Sequence, residues 1–131
     1  MPSTLIEVRR SYTPAQEALI IEAVQSALVE GFRIPVDDRC VRLVVHEPHR
    51  FICSPKKSQP ESYTLVTITA FSGRSIEAKR NLYRAIVRRL ADEGIPRDCV
   101  TITLIEAPQD NWGLAGGQVA SEIDLDFKVD V

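Results

Sequence analysis

Long apolar runs are missing from this chain. No uninterrupted stretch approaches the roughly 20 residues a membrane helix needs, and Met1-Pro2-Ser3-Thr4 has neither the basic start nor the apolar core of a secretory signal. A charge excess is missing too: sixteen Lys and Arg stand against eighteen Asp and Glu, a net charge of −2. That balance argues against a nucleic-acid-binding or membrane-surface role. Cysteine is scarce, and Cys40, Cys53 and Cys99 form an odd set without paired spacing, as expected of reduced thiols in a cytoplasmic protein. His46 and His49 flank Glu47 but lack the i, i+4 spacing of a helical zinc site, so no metal is expected. Gly113, Gly116 and Gly117 do not link a strand to a helix, which excludes a dinucleotide loop. No cofactor is implied. What remains is 131 residues, 44% hydrophobic and 26% charged, the composition of one folded domain over residues 1–131.

The chain carries one plan twice. Leu5-Ile6-Glu7-Val8 is a short strand, and Thr13-Pro14-Ala15-Gln16 then reads as a helix start. Thr13 can cap, Pro14 suits the first helical position, and Gln16 can complete a capping box. Ile20, Ala23, Val24, Ala27 and Leu28 fall on one helical stripe, which Gly31 and Pro35 are expected to end. Val41 to Val45 follows as a β-rich strand. The second copy runs from a strand at Thr64–Phe71, through a Ser75 cap and a stripe of Ala78, Leu82, Ala85, Ile86 and Leu90, to a strand from Val100 to Ile105. Ile20, Ala23, Val24 and Leu28 map onto Leu82, Ala85, Ile86 and Leu90 with one constant offset. The units span about 2–48 and 62–108, with a polar seam between them and a tail over 109–131.

In that tail, Ile123, Leu125, Phe127, Val129 and Val131 alternate with polar residues, the pattern of a half-buried edge strand. The expected architecture is α+β: a mixed four-stranded sheet, two helices on one face, and a C-terminal edge strand. The other face mixes Val and Ile with Thr67, Thr69, Thr101 and Thr103, too apolar to be left wet, so symmetric association is expected.

Pro2 is the residue with the most chemical content. Removal of Met1 would leave a secondary amine at the terminus, and burial near cations would lower its pKa toward neutrality. Such a nitrogen can take a proton from carbon and return it elsewhere. Gly73-Arg74-Ser75, with Glu77 and Lys79 beyond, joins a strand to a helix. By itself an arginine there reads as a surface ion pair, and the basic side of that helix (Lys79, Arg80, Arg84, Arg88, Arg89) as a solvated face. Trp112 lies before the Gly-rich stretch Gly113 to Gly117 and reads equally as core packing.

Together, Pro2, the segment Phe71 to Lys79 and the segment Trp112 to Ser121 resemble the 4-oxalocrotonate tautomerase family, as two fused copies of its short subunit. The resemblance implies a homotrimer of β-α-β units and a cofactor-independent keto–enol isomerase acting on small carboxylate-bearing 2-keto or enol acids. It implies Pro2 as the base, Arg74 and Arg42 as carboxylate and enolate ligands, and Trp112 as a pocket wall. The first copy has Tyr12 where the second has Arg74, and the second has Thr101 where the first has Arg42. Each motif survives once, so one composite site per chain is expected. Asp38 resembles the aspartate that malonate semialdehyde decarboxylases of the same superfamily use, although it reads equally as a loop carboxylate. A hydratase, dehalogenase or decarboxylase using protonated Pro2, or a trimer that only binds partners, are the alternatives.

Overall fold

The computed structural model describes all 131 residues. β1 (Pro2–Val8), α1 (Pro14–Phe32) and β2 (Val41–Val45) form the first unit. β3 (Thr64–Phe71), α2 (Ile76–Asp92) and β4 (Val100–Ala107) form the second. Within each unit the strands are parallel, and β1 and β3 join the units antiparallel, giving the order β2-β1-β3-β4. Leu5 pairs with Thr67, its own counterpart at the offset that relates Ile20 to Leu82. A pseudo-two-fold therefore passes through the β1–β3 ladder.

Both helix starts follow from local chemistry. Thr13 Oγ1 accepts from the Gln16 amide while Gln16 Oε1 accepts from the Thr13 amide, a complete capping box ahead of Pro14. Ser75 Oγ accepts from the Ala78 amide. The helix stripes and the inward positions of the strands make one core, including Ile6, Val24, Leu28, Val66, Ile68, Leu82 and Ile86, all fully buried. No helix is long and apolar enough to cross a membrane.

Two expectations are corrected. Gly31 does not end α1; the helix runs on to Phe32 and stops at Arg33, which adopts the left-handed conformation at φ 54°. Gly31 lies inside the helix because α2 crosses there, and a Cβ at this position would sit 2.7 Å from Leu82 Cα. The tail over 123–131 forms no edge strand. The last pairing in the chain is a short antiparallel ribbon of β5 (Gly113–Leu114) and β6 (Gln118–Val119). The alternation beyond it serves a different purpose: Phe127 and Val131 pack on the core side, and the Val131 carbonyl accepts from the Ser75 amide. An extended segment can bury alternate side chains without a ladder partner when its backbone bonds elsewhere.

The sheet face away from the helices carries Leu5, Leu65, Thr67, Thr69, Val44 and Ile105, with Val44 and Ile105 exposed at 40% and 48%. Nothing in the single chain covers it.

Candidate active site

The site forms where β1 begins and β3 and β4 end. Pro2 is buried and stands opposite Ala70 of β3; Ala70 in turn stands opposite Glu106 of β4. The chain leaves β3 through Ser72 and Gly73, and Gly73 takes φ 128°, a value that glycine adopts without strain. That turn directs Arg74 back under the sheet, where it is 6% exposed.

Arg74 is boxed by aromatic rings. Its guanidinium carbon lies 4.6 Å from the centroid of Phe32 and 6.0 Å from that of Phe127, distances that attract a cation to a ring face. Phe127 stacks on Phe71, whose ring meets Trp112 edge-on at 5.1 Å. Trp112 donates from Nε1 to the Ala107 carbonyl at 3.3 Å, so the indole is fixed at the end of β4. One guanidinium nitrogen donates to the Phe71 carbonyl at 3.2 Å, while Nε and Nη2 are buried without any partner. Burial pushes the Arg74 pKa down, opposed by the charges of Asp38 and Glu106. The side chain remains a cation. Two unsatisfied donors on a buried cation are costly to leave empty and suit an incoming carboxylate, which binds two parallel N–H groups.

Asp38 belongs to the same corner. Its Oδ2 lies 2.9 Å from the amino-terminal nitrogen of Met1, and its side chain is only 13% exposed. The loop is held in place by the Asp38 amide donating to the Pro35 carbonyl and by Gln25 donating to the Asp38 carbonyl, both at 3.1 Å. Burial lowers the pKa of the terminal amine, the hydrogen bond and charge of Asp38 oppose this, and Arg74 lowers it further. Loss of Met1 would pass the free amine one residue along β1 to Pro2, in this same corner. A cleft of about 460 Å³ lies between Arg33–Pro35 and Asp126–Lys128, with Phe127 forming part of its wall; Pro2, Asp38, Arg74 and Trp112 do not line it.

Pro2, Asp38, Arg74 and, through Phe71, Trp112 are thus brought together. Arg42 is not part of this group within one chain. It stands on the open sheet face, exposed, and donates to Ser3 Oγ at 3.2 Å. Phe32, Phe127, Gln25 and Glu106 join the corner without a motif that marks them in the sequence. Phe127 has a visible signal, an apolar alternation, but that pattern reads as a strand; Gln25 is a lone polar residue on an otherwise buried helix face.

The counterpart corner, at the start of β3, is closed. Thr64 replaces Pro2 and bonds its hydroxyl to the Ser62 carbonyl, Ser62 is 2% exposed, and Cys99 Sγ donates to the Gln59 carbonyl. Seam residues 58–62 fill the space, and burial raises the pKa of Tyr12, which occupies the position of Arg74. His46 meets Glu7 at 2.9 Å on the open face and forms no metal cluster.

Two β-α-β units fused about a two-fold, with an amino-terminal strand set against a buried arginine, define a fused tautomerase-fold chain. The sequence profile described as tautomerase enzyme matches residues 38–115, and the chain belongs to that family. It is 24% identical over 122 residues to YusQ, a probable tautomerase of Bacillus subtilis strain 168, across 90% of this chain and 96% of that protein. It is 36% identical over 53 residues to the probable tautomerase RSp0893 of Ralstonia nicotianae, across 40% of this chain and 76% of that one. Among solved structures, FG41 malonate semialdehyde decarboxylase, inhibited by 3-bromopropiolate, superposes with a TM-score of 0.82 at 27% identity, covering 94% of this chain and 98% of that one. A wild-type fused 4-OT symmetric trimer shares the fold at a TM-score of 0.80 and 21% identity, over 90% and 95% of the two chains.

Proposed function

We propose that the chain is a cofactor-independent tautomerase that moves a proton on small carboxylate-bearing 2-keto or enol acids, with the Pro2 amine as base once Met1 is removed. The observation that carries this reading is the buried, half-unpartnered Arg74 beside the amino terminus. A substrate carboxylate or developing enolate takes its free N–H pair, which fixes the carbon acid against the amine. The neutral amine abstracts the proton and returns it at the other end of the enol system. The aromatic box excludes water and favours the neutral amine. Asp38 orients the amine. The open sheet face supports a homotrimer, in which Arg42 lies where a neighbouring copy would pack.

Asp38 also favours a second reading. A carboxylate 2.9 Å from the Met1 nitrogen would, once Met1 is lost, promote the protonated form of the Pro2 amine in the same corner, and a protonated Pro2 is what decarboxylation or hydration would use as an acid. Similarity to a malonate semialdehyde decarboxylase supports the same alternative. Intact mass establishes whether Pro2 is the terminus. A screen of small keto acids followed by NMR, with activity recorded against pH, then separates the two: a limb rising with pH supports the base, a falling one the acid. Retention of Met1 in fully active protein would overturn both.

A further inference from the structure

Lys79 lies in the first turn of α2, on the side that reads as solvated in the sequence. Its side chain is nevertheless only 21% exposed, and Nζ lies 2.6 Å from Glu106 Oε1. Glu106 projects from the end of β4 onto the helix side of the sheet, in register with Ala70, and its charge is felt at Arg74. Yet no ion pair joins Glu106 to Arg74. The carboxylate is held by Lys79, with the Gly73 amide assisting, and its pKa is lowered chiefly by the Lys79 hydrogen bond. A guanidinium with two bare, buried donors would ordinarily capture a carboxylate within its reach, and Glu106 stands in register with Ala70, next to the Phe71 whose carbonyl Arg74 holds. Asp38, the other carboxylate whose charge Arg74 feels, is occupied by the Met1 amine, and on the proposed reading by the Pro2 amine once Met1 is lost. Both acids that could quench the arginine are thus engaged elsewhere.

We infer that Lys79 is a positioning residue that holds Glu106 away from Arg74 and so keeps the guanidinium open for an anionic ligand. The inference rests on Arg74 being the carboxylate receptor of the proposed reaction. Without Lys79, Glu106 swings to Arg74 and competes with the ligand. If the released carboxylate occupies Arg74 about nine-tenths of the time, the apparent affinity falls about tenfold.

The test uses Lys79→Met, Glu106→Gln and the double variant in the assembled protein, with pyruvate as the probe. Two quantities are read: the Arg74 Nε–H resonance without ligand, and half-saturation by pyruvate. Lys79→Met is expected to move the resonance and weaken pyruvate about tenfold. Glu106→Gln alone is expected to bind pyruvate no more weakly than wild type, since it removes the competing carboxylate, and the double variant to regain at least wild-type affinity. A merely structural lysine would not be rescued by removing the acid. If Lys79→Met does not fold, Lys79→Gln is read in the same way. An unmoved resonance in the lysine variant, or a double variant as weak as the single one, overturns the inference while leaving Arg74 as receptor. Equal pyruvate affinity in wild type and Arg74→Ala would instead remove the proposed receptor, and the inference with it.

Discussion

Replacing Gly31 with alanine tests how closely the two helices approach beneath the site. The new Cβ would lie 2.7 Å from Leu82 Cα, 2.8 Å from its Cβ and 2.9 Å from its backbone nitrogen. Carbon atoms in contact need about 3.5–4.0 Å, so α1 and α2 must move apart by roughly 1 Å. No flexible side chain can absorb this, since two of the three atoms are backbone. A gap of that size forfeits about a quarter to a half of each dispersion contact it opens. Loosening four facing side chains worth about 2 kcal/mol each by that fraction costs about 2–4 kcal/mol. Alanine returns about 1 kcal/mol through its higher helix propensity. The expected loss is about 1–3 kcal/mol, or roughly 3–5 °C in Tm per kcal/mol for a chain of this size. Thermal and urea melts at matched protein concentration read it, because the proposed assembly would make Tm concentration-dependent. Gly113 is the control, because a methyl added there would meet nothing within 4 Å and its φ is not positive; its alanine variant should stay within about 0.5 kcal/mol. A Gly31→Ala protein as stable as wild type would refute the close approach.

Three further outcomes are expected. Arg74→Met should fold, its thioether resting between Phe32 and Phe127, yet lose about 2–5 kcal/mol in kcat/KM on any carboxylate substrate; undiminished kcat/KM would remove Arg74 from the site. With Pro2 as base, activity should rise with pH through the Pro2 amine pKa, in a corner where burial lowers the pKa of the Met1 amine. Asp38→Asn removes the groups that raise that pKa, so the rising limb should move to lower pH, followed by NMR titration of the terminal amine; a shift to higher pH contradicts the pairing. Phe127→Ala should cost about 1–2 kcal/mol, less than a fully buried phenylalanine, and speed solvent exchange at the Arg74 Nε–H; unchanged exchange would show that Phe127 does not shield the guanidinium.

Much of the fold can be read from local chemistry. The capping box at Thr13, the Ser75 cap and the β-branched runs at Val41–Val45 and Thr64–Phe71 lie where the residues indicate. Repetition makes the order of the elements in the two units legible as well. Gly31 misleads because glycine near a helix end ordinarily signals a stop, whereas here a neighbouring helix requires its missing side chain. The tail misleads because period-two burial is shared by strands and by extended straps, and only the backbone partner separates them. The site is partly legible. Pro2, Arg74 and Asp38 can be named from motifs, but the box of Phe32, Phe71 and Phe127 joins residues far apart in the chain. Arg42 carries a signal in sequence that the single chain does not turn into proximity.

The pseudo-two-fold also has a use in redesign. The start of β3 is geometrically the twin of the start of β1, but its strand enters from a covalent seam and so presents an amide where, under the proposed loss of Met1, β1 would present an amine. Severing the seam before Thr64, with proline placed at 64 and arginine at 12, would turn one asymmetric chain into two half-chains, each with a free secondary amine set against an arginine. On the proposed reading, the peptide link through residues 58–62, and not the sheet, is what would make one end of this molecule chemical and the other mechanical.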